Sequence, residues 1–154
     1  MTPSQMCAGV NRLVEPLFFP LLCEELNILL PRWESIHDTP FEVNSRSHAL
    51  ILHFKYWENS RSGTADEQSL ILEKITFFRD ANLPFDLDRD NETPVTALLK
   101  LSRDTVRGEE QSISHFMTEG LVVEVAFGAD FVGIQRVRVA RLGAPIGHND
   151  FTRR

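Results

Sequence analysis

Along much of the chain, apolar residues fall three and four positions apart. Ile71, Ile75 and Phe78 share one side of a helical wheel, as do Ile113, Phe116 and Met117. Leu50, Ile51, Phe54 and Trp57 do the same, with Ser45 or Ser47 available to cap them. Each set predicts a short amphipathic helix. Asn82 and Gly120, which tolerate left-handed backbone, close two of these helices. A further helix is predicted from Thr93, a good N-cap, with Pro94 in its first turn and Leu98, Leu99 and Leu101 on its buried side. Pro31 opens or breaks a helix ahead of Trp33. Only near the C-terminus does the pattern change. Residues 122–141 are rich in Val, and the alternation Val137-Arg138-Val139 favours a strand, although Ile134, Val137 and Leu142 also suit a helix.

The helical stretches are joined by steps that read apolar, acidic, apolar. Thr39-Pro40-Phe41-Glu42-Val43-Asn44 aligns with Leu83-Pro84-Phe85-Asp86-Leu87-Asp88 at an offset of 44, and Leu121-Val122-Val123-Glu124-Val125 aligns with residues 83–87 at an offset of 38. Polar stretches at residues 58–69 and 103–111 occupy equivalent places, so the order is turn, helix, polar loop, helix, turn. Thr93-Pro94-Val95-Thr96-Ala97 resembles the Thr-Pro-Leu-His start of an ankyrin repeat, and residues 82–88 resemble the turn that precedes it. The periods exceed the usual unit of about 33 residues, Ser47-His48-Ala49 stands where the first start should be, and no Thr-Pro follows Val125. The resemblance implies a mostly α fold of stacked helix-turn-helix repeats with extended inter-helix loops. Divergent repeats would span residues 31–127 of one domain, with a capping helix region at 1–31 and a β-rich cap and basic tail at 128–154.

A length of 154 residues, with 42% hydrophobic and 25% charged residues, suits one globular domain. Eleven Phe against a single Tyr supply apolar area with no polar tip to satisfy. The net charge of -6 argues against wholesale binding to nucleic acid or anionic lipid. That charge is uneven, however: residues 136–154 balance at +4 and the remainder at -10. Two cysteines, Cys7 and Cys23, make no disulfide framework and no CxxC pair, which points to an intracellular setting, cytoplasmic or nuclear. The apolar run at residues 13–30 is broken by two prolines and three glutamates, so no membrane span is expected.

Little in the sequence asks for chemistry. Asp86, Asp88 and Asp90 alternate as in a calcium loop, but Asn91 and Ala97 stand where that loop needs Gly and a bidentate Glu. An exposed turn whose carboxylates bond their own backbone is the simpler reading. The histidines have no metal-ligand spacing, and no glycine-rich phosphate loop can be read. No cofactor, metal or catalytic group is assigned, and an enzyme is the less favoured class.

The first functional reading is therefore a protein-binding module. By the resemblance, its turn tips and concave helix face, with Glu42, Arg46, Asp88, Arg89, Asp90, Glu92 and Tyr56, would meet another protein bearing a basic surface. The other reading is an α+β enzyme or ligand-binding domain. Phe18, Phe19, Phe77, Phe78, Phe85, Phe116, Phe127 and Phe131 would wall its pocket, and His115 or Cys23 would be the working group.

Overall fold

Residues 121–127, Leu-Val-Val-Glu-Val-Ala-Phe, bury every second side chain: Leu121, Val123, Val125 and Phe127 point inward. That is a strand with one face on a core. In the computed structural model, which describes residues 1–13, 18–29, 40–56, 70–101, 105–106, 113–142 and 146–147, this strand lies inside an antiparallel sheet. In chain order the elements are α1 (Pro3–Ala8), β1 (Arg12–Leu13), α2 (Phe18–Leu26), β2 (Phe41–Ser45), β3 (Leu50–Tyr56) and β4 (Leu70–Phe78). They continue with α3 (Pro94–Lys100), β5 (Thr105–Val106), β6 (Ile113–Thr118), β7 (Leu121–Phe127), β8 (Ile134–Arg141) and β9 (Ile146–Gly147). The sheet runs β2-β3-β4-β8-β7-β6-β5, and β1 pairs in parallel with β9.

The inward row crosses the sheet from Leu52 and Phe54 of β3 through Ile75 and Phe77 of β4 to Val137 and Val139 of β8, then Val123 and Val125 of β7 and Phe116 of β6. Met6 and Cys7 of α1, Leu22 and Leu26 of α2, and Ala97 of α3 with the following Leu101 pack into the same cluster. All three helices thus serve one face. Phe41 stacks on Phe54 at 5.4 Å between ring centres, and Phe19 meets Phe54 edge-on at 5.8 Å. The phenylalanines are mostly core: Phe54, Phe77 and Phe116 are essentially sealed from solvent.

This architecture overturns the expectation of a mostly α, ankyrin-like helical repeat. Of the three residues that the offsets of 44 and 38 align, Pro40 precedes β2, Pro84 lies in the loop after β4, and Val122 sits inside β7. They are not equivalent positions. The predicted helices around Ile71, Ile113 and Leu50 are strands β4, β6 and β3. The reason is clearest in β4. Phe54 pairs with Leu72 and His53 with Lys74, so Glu73 is an extra residue in the ladder. That bulge moves the inward set from Leu70 and Leu72 to Ile75 and Phe77; of the three residues that share a helical wheel only Ile75 is in this row, while Ile71 lies outside the core cluster and Phe78 is 40% exposed. Gly120 misleads in a related way. Glu119 (φ +50°) and Gly120 (φ +78°) form the two-residue β6–β7 hairpin, whose type I′ turn needs the same positive φ as a helix terminus.

Two local expectations hold. Thr93 caps α3 with Pro94 in the first turn, in a capping box completed by Thr96, although of the leucines expected on its buried side Leu101 is buried and Leu99 is 82% exposed. Val137-Arg138-Val139 is indeed strand, the centre of β8. The expected helix at Pro31 and Trp33, the polar stretch 58–69 and the basic residues after 147 lie outside the described residues.

Candidate partner-binding site

The loop from Arg79 to Thr93 links β4 to α3 and contains all three alternating aspartates. Asp88 organises it. Its carboxylate accepts from the N–H groups of Asp90 (3.0 Å) and Asn91 (3.3 Å) and from Asn91 Nδ2 (3.3 Å). These donors, the Asp90 N–H foremost, hold the Asp88 carboxyl below the usual carboxylate range. Self-bonding was the simpler reading of this loop, and Asp88 makes such bonds.

Glu92 does something different. It is 1% exposed. Its Oε1 accepts from the Asp88 N–H at 2.8 Å and from Lys100 Nζ at 2.8 Å, and its Oε2 takes the Thr96 hydroxyl. The carboxylate ties the loop to both ends of α3 and is not presented to solvent.

The loop is fastened to a second turn. The carbonyls of Arg89 and Glu92 accept from the N–H groups of Ile134 (2.7 Å) and Gly133 (2.8 Å). Gly133 has φ +77°, and a Cβ there would stand 3.0 Å from the Arg89 carbonyl oxygen. Only glycine allows the approach without strain. The turn it ends, Gly128 to Gly133, is closed by Gly128 N–H donating to the Gly133 carbonyl at 2.9 Å. Within it Asp130 (φ +63°) and Phe131 (φ +58°) are both left-handed, an unfavourable conformation for each. The result is that Phe131, 46% exposed, and Val132, 50% exposed, stand in solvent.

Phe78, at the same end of the sheet, is 40% exposed, and the next residue, Arg79, reaches Asp90 at 3.4 Å. Three exposed apolar side chains are therefore grouped at one end of the sheet with exposed Asp88, Asp90 and Asp130. Arg89 is half-buried, with Nη2 donating to the Ala81 carbonyl at 3.5 Å.

The other predicted site residues are elsewhere. Glu42 is on β2, its Oε1 3.1 Å from His53 Nδ1, on the face opposite the core. Arg46 is exposed in the loop between β2 and β3, and Tyr56 closes β3 opposite Leu70. The structure thus brings together Asp88, Arg89, Asp90 and Glu92, but not Glu42, Arg46 or Tyr56. The sequence reading did not place Asp130, Phe131 and Val132 at a partner site. The signal was present in Gly128-Ala-Asp-Phe-Val-Gly133, a glycine-bracketed turn that spends two positions on large apolar residues where polar ones are usual.

The groups weighed for catalysis are also dispersed. His115 Nε2 lies 3.2 Å from Glu124 on the sheet, whereas Cys23 is on α2. Cys7 is buried, and burial pushes its thiol pKa far up, away from a reactive thiolate. Among the described residues, no group of three His, Cys, Asp or Glu side chains could hold a metal ion, and no helix is long and apolar enough to cross a membrane.

The class is set by the fold: a mostly β protein, one antiparallel sheet with short helices on a single face. No protein family, curated protein or solved structure matches the chain.

Proposed function

We propose that the protein is a partner-binding module that receives a basic, partly apolar segment of another protein at the Phe131 end of its sheet. One observation carries the reading. Two adjacent left-handed residues, pinned to a rigid acidic loop, hold Phe131 and Val132 out of the core. Exposed apolar groups with a charged rim are typical of interaction surfaces. The aromatic ring supplies buried area once covered, while Asp88, Asp90 and Asp130 select for positive charge and speed encounter. Having only two cysteines, in no CxxC pair, fits a reducing, intracellular location for this role.

Selection of a random peptide library against the intact protein tests this. Bound peptides are expected to combine Lys or Arg with an apolar anchor. The double variant Phe131→Ala, Val132→Ser should weaken their binding tenfold or more while leaving the circular dichroism spectrum unchanged. Enrichment of acidic peptides, or capture that survives the double variant, would exclude this end of the sheet as the interface.

A further inference from the structure

A separate feature lies where α1, β1, the loop around Phe85 and the β6–β7 hairpin converge. A cleft of about 380 Å³ opens there, bordered by Arg12, Phe85, Lys100, Thr118, Glu119 and Arg141. Its volume falls within the range of small-molecule pockets, about 300–1,000 Å³.

The three cations are held differently. Lys100 is engaged, with Nζ donating to the Asp86 carbonyl at 2.7 Å and to Glu92 at 2.8 Å. Arg141 donates through Nε to the Val10 carbonyl at 3.1 Å and through Nη1 to the Glu119 carbonyl at 3.2 Å. Both acceptors are neutral, so they orient the guanidinium without cancelling its charge. Among the described residues no hydrogen bond or ion pair reaches the Arg12 side chain, and its Nε is buried without a partner. Burial, and then the field of Arg12, lower the Arg141 pKa below the usual arginine range, with Glu119 opposing them. Both guanidinium groups line the cleft, and among the described residues no carboxylate is bonded to either, although Asp86 and Glu119 line it as well. Such a pair is costly unless an anion joins it.

The lining also includes an aromatic ring, Phe85, next to Asp86. Phe85 is kept in left-handed backbone (φ +60°), and its N–H donates to Ser4 Oγ at 2.9 Å. The strain is tolerated because the surrounding contacts fix it.

We propose that this cleft binds a small organic phosphate, with the phosphate between Arg12 and Arg141 and the organic part against Phe85. Guanidinium forks match phosphate oxygens in pairs, and a phosphate monoester brings about 1.5–2 negative charges, enough to relieve two arginines where a carboxylate relieves one. The cleft also has room for the group that carries the phosphate.

Phenyl phosphate is the probe, titrated into the intact protein by calorimetry and by thermal shift at constant ionic strength. Inorganic phosphate and benzoate are the comparison ligands. Saturable binding is expected, at least tenfold tighter than either comparison. Arg12→Gln should weaken it tenfold or more, and the free variant should melt no lower than the wild type, because the Arg12 side chain makes no bond among the described residues and its removal ends a repulsion. Arg141→Lys, which retains the charge but loses the fork, should also bind more weakly. Three results would overturn the assignment: no saturable binding of phenyl phosphate, benzoate binding as tightly, or an Arg12→Gln variant that binds like the wild type or melts earlier when free.

Discussion

Glu92 shows how one side chain can organise a loop that charge alone would push apart. Asp86, Asp88 and Asp90 repel one another in the unfolded chain. In the folded chain Asp88 gathers three donors, and Glu92 joins the Asp88 N–H, Lys100 and the Thr96 hydroxyl. Removing the Glu92 carboxylate leaves the Asp88 N–H and the Thr96 hydroxyl without this acceptor and deprives Lys100 of its acid. Glu92→Ala should destabilise the protein by about 2–3 kcal/mol, as for a buried charge-assisted bond. Glu92→Gln should cost less, because the amide still accepts. Chemical denaturation measures both; a loss below about 0.5 kcal/mol for Glu92→Ala, the range of an ordinary surface change, would mean that the loop holds itself. None of this role was legible beforehand. In the sequence Glu92 is one more acid in an acidic run, and only burial separates it from Asp90.

Among the elements, the junction between the acidic loop and the turn ending at Gly133 positions the proposed interface. The junction depends on a residue without a side chain. Gly133→Ala would place a Cβ 3.0 Å from the Arg89 carbonyl oxygen at a φ of +77°. A cost of about 1–3 kcal/mol is expected from the strained backbone. The amides of Gly133 and Ile134 should also lose protection from hydrogen exchange, since their acceptors are the Glu92 and Arg89 carbonyls. Wild-type exchange at both amides would show that the two turns are not mechanically joined. At this scale the sequence was partly legible. The Thr93-Pro94 start of α3 and the alternation in β8 are local signals, and they hold. The β4 bulge at Glu73 is set by pairing with β3, and nothing in the spacing of Ile71, Ile75 and Phe78 shows that only Ile75 joins the core row.

Across the molecule, the sheet buries apolar side chains on the helix side and carries a polar network on the other. There His53 Nδ1 lies 3.1 Å from Glu42, and Nε2 is 3.0 Å from the Thr76 hydroxyl. Burial first, then Lys74, lower the His53 pKa; Glu42 and Glu73 oppose this, and Arg138 adds to it. The neutral ring therefore dominates at pH 7, donating from Nδ1 to Glu42 and accepting at Nε2 from Thr76. A base whose folded pKa is depressed binds its proton more readily when unfolded. Its contribution to stability is complete above the unfolded value of about 6.5 and declines as the pH falls through it. Wild-type protein should lose more stability between pH 7.5 and 5.5 than His53→Gln does, as read by denaturant midpoints. Equal losses would show that His53 is not the titrating group.

What the sequence alone determined is local chemistry: where a helix is capped, that Gly120 though not Asn82 is left-handed, where one strand alternates, and that the chain has enough apolar surface for a core. Left-handed positions such as Gly120 could be located, but not whether they end a helix or turn a hairpin, because both need the same φ. The tertiary structure decided which strands pair, which acid is buried, which phenylalanines reach solvent and which arginines meet. Those outcomes depend on contacts between residues far apart in the chain: Arg141 with Val10, Gly133 with Glu92 and Phe85 with Ser4. A three-residue spacing carries no record of such contacts, since the partner that gives it meaning is elsewhere in the sequence.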